Sequence, residues 1–320
     1  MNANILHNNI INAIKEKVPK GETITNFLMN ILFIGKEAVY RRLQGRVPFT
    51  FEELSIISHN LDISLDSITG FAQQQNKSFP LKFTEFVNPM DVNHAQIVKL
   101  NEFLNTSRKQ TYRESGSSAN FFPQTLYIGH KYLTKFYMFK SLYQTNELDS
   151  VKSMNDIEIT PKLDKIMEQY QKESTYINYS YYIFNNSIFI YLVNDIKYFY
   201  SISYITAEDV AALKKDLFDF IDKLEKLAVK GQFDTGNKVQ FYLSNVNFES
   251  TYTYIQTEDA RISHIKTFAL NAVISLDESV CEKLKKWIDS LKRLSTLISE
   301  SGEIQRAKFF KEQRELVNTL

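Results

Sequence analysis

The sequence predicts an α+β protein in which a small all-α N-terminal domain precedes a larger, helix-rich α+β domain. Only 9 glycines and 6 prolines occur among 320 residues, and so low a content argues against a loop-dominated chain. Apolar residues recur at helical spacing in the first seventy residues and again in several later segments. Between those later segments lie stretches rich in tyrosine, isoleucine and valine, which is typical of strands.

The boundary between the two domains is predicted at residues 73–80. This segment is polar, has no helical periodicity and ends at a proline, so we interpret it as a linker. The first domain then covers residues 1–72 and the second covers residues 81–320. Within the second domain, the segment 107–120 is rich in serine and contains Gly116, and it predicts a loop.

Helices and strands are both expected in the second domain. Four segments carry apolar residues at helical spacing, and these are residues 123–143, 206–230, 280–298 and 303–317. The second of them begins with a capping box at Thr206 and Asp209 and ends at Gly231. Strands are predicted at residues 176–184, 239–243 and 252–254, whereas residues 188–199 fit either a strand or one helix face.

Charge and cysteine content limit the class of protein. The chain has 38 basic and 37 acidic residues, so any attraction to nucleic acid must come from a local patch. A single cysteine, Cys281, excludes an intramolecular disulfide and fits a reducing compartment. Neither a secretory signal nor an apolar run of about eighteen residues is present, so we expect a cytoplasmic protein that does not contact membranes.

The most informative stretch lies near the N-terminus. Residues 23–33 predict a short amphipathic helix, Gly35 allows a tight turn, and residues 36–44 predict a second helix that Gly45 ends. A third helix starts at the capping box that runs from Thr50 to Glu53, and residues 64–68 predict a last helical turn. Two short helices joined by such a turn form the unit that inserts its second helix into the major groove of DNA.

Positive charge is concentrated on that second helix. Residues 36–46 contain four basic side chains and one acidic side chain, whereas residues 1–75 contain seven of each. Val39 and Leu43 are four apart and anchor the helix to the core, which leaves the polar side chains outward. We assign DNA contacts to Lys36, Glu37, Tyr40, Arg41, Arg42, Gln44 and Arg46. The alternative is an ordinary solvated helix face.

The same stretch resembles a known family. Residues 38–45, Pro48 and the phrase Leu61-Asp62-Ile63-Ser64-Leu65-Asp66 resemble the helix-turn-helix of phage-repressor-type (Cro and C1-like) transcriptional regulators. In that family the recognition helix ends in glycine, a proline follows, and a further helix leads to the closing phrase. The resemblance covers about residues 10–70 and implies a sequence-specific bacterial regulator that binds double-stranded DNA. Gly35 replaces the family's usual polar serine, and Leu43 stands where many members have glutamate.

Signals for catalysis are weak. The five histidines are scattered, Cys281 has no local histidine partner, and no glycine-rich phosphate loop is visible. We therefore expect no enzyme activity, no cofactor and no metal site. One polar cluster could line an anion or ligand pocket at a helix N-terminus, and it comprises Ser299, Ser301, Glu303 and Arg306. The alternative is a helix break with a capping serine and a surface Glu–Arg pair. The tyrosine-rich segments could also hold a flat ligand.

The second domain is expected to build a homodimer, because one recognition helix covers too few base pairs for useful affinity. It could also sense an unidentified small molecule or protein effector. Phe309 and Phe310 are adjacent on the last helix and cannot both face one core, so we expect an exposed Phe309 at a partner surface. Two alternatives stay open: a ligand-binding or enzymatic second domain whose helical head contacts proteins, and an adaptor that only binds proteins.

Overall fold

The computed structural model describes residues 3–19, 21–61, 63, 65, 81–85, 94–145, 151–267 and 269–320. The chain divides into two compact units, Met1–Phe79 and Pro80–Leu320. The α+β prediction is confirmed, because the described residues form twelve helices and an eight-stranded mixed sheet. The predicted linker at 73–80 and the helical turn predicted at 64–68, Leu65 excepted, lie outside the described residues.

The first unit is a bundle of short helices. They are α1 (Ala3–Lys17), α2 (Ile24–Leu32), α3 (Lys36–Leu43) and α4 (Phe51–Leu61). Apolar residues at helical spacing meet in one core, and its most buried members include Ile14, Leu28, Val39, Ile57 and Leu61. None of the described residues of this unit is in a strand, as the sequence predicts.

The second unit alternates strands with helices. Its strands are β1 (Lys82–Glu85), β2 (Arg113–Ala119), β3 (Tyr179–Phe184), β4 (Lys238–Ser244), β5 (Tyr252–Thr257), β6 (Arg261–Lys266), β7 (Asn271–Ser275) and β8 (Ser295–Leu297). Its helices are α5 (Ala95–Thr106), α6 (Gln124–Tyr127), α7 (Lys131–Thr145), α8 (Pro161–Ser174), α9 (Ile188–Ser201), α10 (Ala207–Lys230), α11 (Glu278–Arg293) and α12 (Glu303–Val317). The strand order is β1-β7-β6-β5-β2-β3-β4-β8, with β2, β3 and β4 parallel and the other neighbours antiparallel.

The two faces of the sheet bury different side chains, because successive residues of a strand point to opposite sides. In β3, Tyr182 and Phe184 belong to the larger core, which the helices α5 to α10 and α12 complete. Tyr181 and Ile183 belong to a smaller core beneath α11, together with residues such as Cys281. The helical layer therefore covers one face, and α11 packs on the other.

The predicted loop at 107–120 is wrong, because this segment contains β2 near the middle of the sheet, between β5 and β3. Small residues are required there by the neighbouring side chains. A Cβ atom on Gly116 would lie 2.5 Å from Cζ of Tyr181 and 2.6 Å from Cε1 of Tyr254. A central strand that must accommodate two large rings therefore has the composition of a loop.

Predictions that rest on helix caps and helix-ending glycines agree more closely with the structure. Helix α10 starts at the Thr206–Asp209 capping box and ends at Gly231, whose φ of +65° is left-handed. Helix α12 matches the predicted range, and the ambiguous segment 188–199 is helical. Two predicted helices are too long: residues 123–143 form α6 and α7 with a break between them, and α11 ends at Arg293 before β8.

Phe309 is not exposed, which corrects the expectation from the sequence. Phe309 and Phe310 are 4% and 1% exposed, because α12 packs between α10 and α9 of the same chain. The ring of Phe309 lies 6.2 Å from that of Phe189 and 5.2 Å from that of Phe310. Two neighbouring elements therefore cover both sides of the helix.

Candidate nucleic-acid interface

The turn between α2 and α3 positions the candidate recognition helix. Its left-handed residue is Phe33, with φ of +54°, and not Gly35, to which the sequence assigned the tight turn. Gly35 has φ of −69° and ψ of 158°, an extended conformation that any residue adopts, and it is the N-cap of α3. It has no side chain with which to cap the helix, and a Cβ atom there would meet nothing within 4 Å.

The other end of α3 stops as predicted. Gly45 is left-handed with φ of +71°, and its amide donates to the carbonyl of Arg42 at 3.0 Å. The amide of Arg46 donates to the carbonyl of Arg41 at 2.9 Å, which completes a Schellman motif. Nε2 of His7, in α1, lies 3.2 Å from the carbonyl oxygen of Leu43. Local sequence patterns do not reveal this contact, because it joins residues 36 positions apart.

One face of α3 is buried and the other is free. Val39 is fully buried and Leu43 packs against the core, so both anchor residues lie where the spacing predicts. Six of the seven residues assigned to DNA are exposed, and these are Lys36, Glu37, Tyr40, Arg41, Gln44 and Arg46. They form the surface that we call the α3 face.

Arg42, the seventh, is directed inward. Its Nη2 lies 2.6 Å from Oε1 of Glu53 and its Nε donates to Oε2 at 2.8 Å, which is a two-pronged ion pair between α3 and α4. Its Nη1 also donates to the carbonyl of Ala38 at 3.2 Å. Through these contacts Arg42 attaches α3 to α4. The sequence indicated Glu53 as part of a capping box, but it did not indicate that Glu53 pairs with Arg42.

Glu53 is the centre of this attachment. Its carboxylate also accepts from the amide of Thr50 at 2.9 Å, and its own amide donates to Oγ1 of Thr50, so the predicted capping box is confirmed. Partial burial alone would raise the pKa of Glu53, but the hydrogen bonds from Arg42 and Thr50 outweigh burial and hold that pKa below its usual value. Glu53 therefore remains a carboxylate at neutral pH.

The charge of the α3 face is positive. It carries three basic side chains, Lys36, Arg41 and Arg46, and one acidic side chain, Glu37. Nε of Arg41 lies 3.8 Å from Oε1 of Glu37, but both side chains are largely in solvent, where such a pair is weak. The guanidinium groups of the face therefore remain available to phosphate or base edges.

The second predicted cluster comprises Ser299, Ser301, Glu303 and Arg306, and two of its side chains make structural contacts within the chain. Ser299 is buried, and its Oγ accepts from the amide of Phe241 at 2.6 Å. Nη1 of Arg306 donates to the carbonyls of Ile298 at 2.9 Å and Ser301 at 3.2 Å. Ser301 and Glu303 are exposed. These contacts attach the start of α12 to the sheet edge and favour a structural helix break. The N-cap, however, is Gly302 and not a serine, and Arg306 is buried and not part of a surface pair with Glu303.

Comparisons with models of known families, with curated proteins and with solved structures find no match for this chain. Within the described ranges, no helix has the length and apolar character needed to cross a membrane. What the chain does must therefore be inferred from its own side chains, and the α3 face is the surface on which sequence pattern and geometry agree most closely.

Proposed function

We propose that the chain is a sequence-specific, double-stranded-DNA-binding transcriptional regulator that inserts α3 into the major groove. The observation that supports this is the division of labour on α3, in which Val39 and Arg42 attach the helix while the basic face stays free. The resemblance of residues 10–70 to phage-repressor-type regulators points the same way. We propose a regulatory and not an enzymatic role.

Each side chain of the α3 face has a role in this proposal. Arg41, Tyr40 and Gln44 lie on the exposed side of the helix and are assigned to base edges. Lys36 and Arg46 lie at the two ends and are assigned to phosphates, which set the position of the helix without reading sequence. Glu37 accompanies Arg41 and opposes binding by its charge.

We further propose a cytoplasmic homodimer that is held together through residues 81–320. One recognition helix contacts too few base pairs to bind an operator with useful affinity, so two half-sites must be read together. Phe309 gives this proposal no support, because it is buried within its own chain. Sedimentation velocity of the full chain at micromolar concentration tests it, and a monomer would remove the expectation of a two-half-site operator.

The decisive experiment begins with capture and sequencing of genomic fragments that bind the purified full chain. The enriched site, as a labelled duplex, is then titrated with the wild type and with an Arg41→Ala, Arg46→Ala double variant. We expect the variant to lose about tenfold or more in affinity and to show a shallower salt dependence. A Lys15→Ala, Lys17→Ala variant is the control, because these exposed lysines lie at the end of α1 remote from His7. Equal binding by both variants, or no enriched site, would contradict the proposal.

A second candidate is a head that contacts proteins. Phe33 and Phe51 are 92% and 78% exposed, which is unusual for large apolar side chains. The same titration separates the candidates when a Phe33→Ser, Phe51→Ser variant is added. Full DNA affinity of this variant together with loss of affinity in the arginine variant supports DNA binding. Absence of an enriched DNA site, or equal DNA affinity of the wild type and both variants, would instead favour protein contact.

A further inference from the structure

A cavity of about 70 Å³ lies inside the second unit, between the sheet and the helical layer. Its floor is formed by strands β2, β5, β6 and β7, and its roof includes Leu104 of α5, Tyr170 of α8 and Ile177 after it. At about 10–15 Å³ for each water position, this volume holds roughly five waters or a molecule of about five non-hydrogen atoms. Its floor carries both polar and apolar side chains, so it can contact a ligand that has both kinds of group.

A row of polar side chains crosses that floor. Strand pairing places Ser117 of β2 opposite Thr253 of β5, and Thr253 opposite His264 of β6. Oγ of Ser117 and Oγ1 of Thr253 are 2.8 Å apart. The imidazole of His264 lines the cavity and makes no hydrogen bond to any described residue. A row of donors that ends in an imidazole with no partner among the described residues is suited to a polar ligand.

Lys266 brings a cation to the same cavity, two residues along β6. Its Nζ donates to the carbonyl of Ala269 at 3.0 Å, and it has no ion pair within the described part of the chain. None of the described lining residues is acidic. Lys140, the other cation that influences it, is already paired with Asp195. Removal from water, with a smaller effect of Lys140, lowers the pKa of the half-buried Lys266 to about 7, and no described residue offsets this with a counter-ion.

We propose that this cavity binds a short-chain carboxylate, with the carboxylate on Lys266, His264 and the hydroxyl row and the alkyl chain on the apolar lining. An anion supplies the counter-charge that the described residues do not provide. Apolar side chains complete the site around the alkyl chain, among them Ile255, Leu270 and Ile274. The volume fits acids of three or four carbons. The site belongs to the second unit and does not depend on DNA binding by the first.

The test is ligand-observed NMR and calorimetry on the full chain with propionate and butyrate, and with propionamide and butyramide as uncharged probes of the same shape. The carboxylates should bind about tenfold or more tightly than the amides, and Lys266→Met should remove that preference. Lys238→Met is the matched control, because Lys238 is exposed on β4 and does not line the cavity. If Lys266→Met fails to fold, Ala272→Leu fills the cavity beside Lys266, which it opposes in the β6–β7 pairing, and should abolish binding of both acids.

Three results would overturn the proposal: no binding of either acid to the wild type, equal binding of acids and amides, or unchanged binding by a folded cavity variant. The first would mean that the cavity holds only water. Because DNA titration reports on Arg41 and Arg46, a failure here leaves that measurement unaffected, and a failure there leaves the cavity unaffected.

Discussion

Two groups of charged side chains in this chain are arranged in opposite ways. On the α3 face, Lys36, Arg41 and Arg46 are exposed, and their one ion pair is loose. Beneath α11, hydrogen bonds, an ion pair and the contact of Lys292 Nζ with the Tyr181 ring join charged groups and tyrosines in one network. We call it the α11 network, and it comprises Tyr112, Glu114, Tyr179, Tyr181, Tyr254, Lys285, Asp289 and Lys292. The comparison shows that charge density alone does not mark a binding site.

The polar groups of the α11 network form hydrogen bonds and ion pairs mainly with one another. Glu114 accepts from the hydroxyls of Tyr112 and Tyr254 and lies 2.7 Å from Nζ of Lys285. The hydroxyl of Tyr181 donates to Asp289 at 3.0 Å. Burial would raise the pKa of Glu114, but Lys285 and the tyrosine hydroxyls outweigh burial and lower it. Few donors are left for a partner, so we assign this network to stability and the α3 face to binding.

The largest expected effect comes from breaking the α11 network. Glu114→Ala leaves the hydroxyls of Tyr112 and Tyr254 without their acceptor and Lys285 without its carboxylate partner, and we expect a loss of about 3 kcal/mol in the free energy of unfolding. Chemical denaturation followed by the fluorescence of Trp287 measures it, because this only tryptophan sits on α11 against Tyr252. Glu282→Ala, an exposed change on the same helix, should cost almost nothing. Equal stability of the two variants would mean that the network does not hold α11.

The second prediction separates two adjacent arginines. Arg42→Ala removes the partner of a mostly buried Glu53 and should lower the stability of the first unit by about 2 kcal/mol. Arg41→Ala should leave stability unchanged within about 0.5 kcal/mol and weaken DNA binding by about 1–3 kcal/mol. Thermal unfolding and DNA titration of both variants give the comparison. If Arg41→Ala destabilised the unit as much as Arg42→Ala, the division between the anchoring and binding arginines would be wrong.

Acid should weaken the attachment of α3. The folded-state pKa of Glu53 lies below its unfolded value of about 4.3, so its contribution is complete above that value and is lost as pH falls through the lower folded pKa. We expect the wild type to be more stable than Glu53→Gln at pH 7, with the gap closing below about pH 4. Denaturant titration by circular dichroism at pH 7, 5 and 3 measures the gap. A gap that is independent of pH would exclude the carboxylate as its source.

The sequence predicted those parts of the fold that depend on local chemistry. The capping box at Thr206 and the stop at Gly231 set both ends of α10, and Gly45 sets the end of α3. What it missed depends on residues distant in the chain. Strand β2 is composed like a loop because Tyr181 and Tyr254 fill the space beside Gly116.

The candidate site shows the same limit. The exposed side of α3 followed from the spacing of Val39 and Leu43, which is a property of one helix. The inward direction of the Arg42 side chain could not be predicted in this way, because it depends on the ion pair with Glu53 on the next helix. Strands β6 and β7 also escaped prediction, because residues such as His264 and Lys266 face a cavity whose floor four strands form together.

The smallest expected effect tests the corrected turn. Gly35 is the N-cap of α3, and its backbone suits any residue while its Cβ direction is open. A serine there would accept a hydrogen bond from the amide of Glu37 or Ala38, and it would restrict the unfolded chain more than glycine does. Gly35→Ser should therefore stabilise the first unit by about 0.5 kcal/mol and leave DNA affinity unchanged. Thermal unfolding resolves such a shift when Gly45→Ser is measured beside it, because Gly45 has a left-handed φ and its substitution should destabilise instead. A loss of stability in Gly35→Ser would show that the turn itself needs glycine at position 35, and would restore the role that the sequence first assigned to it.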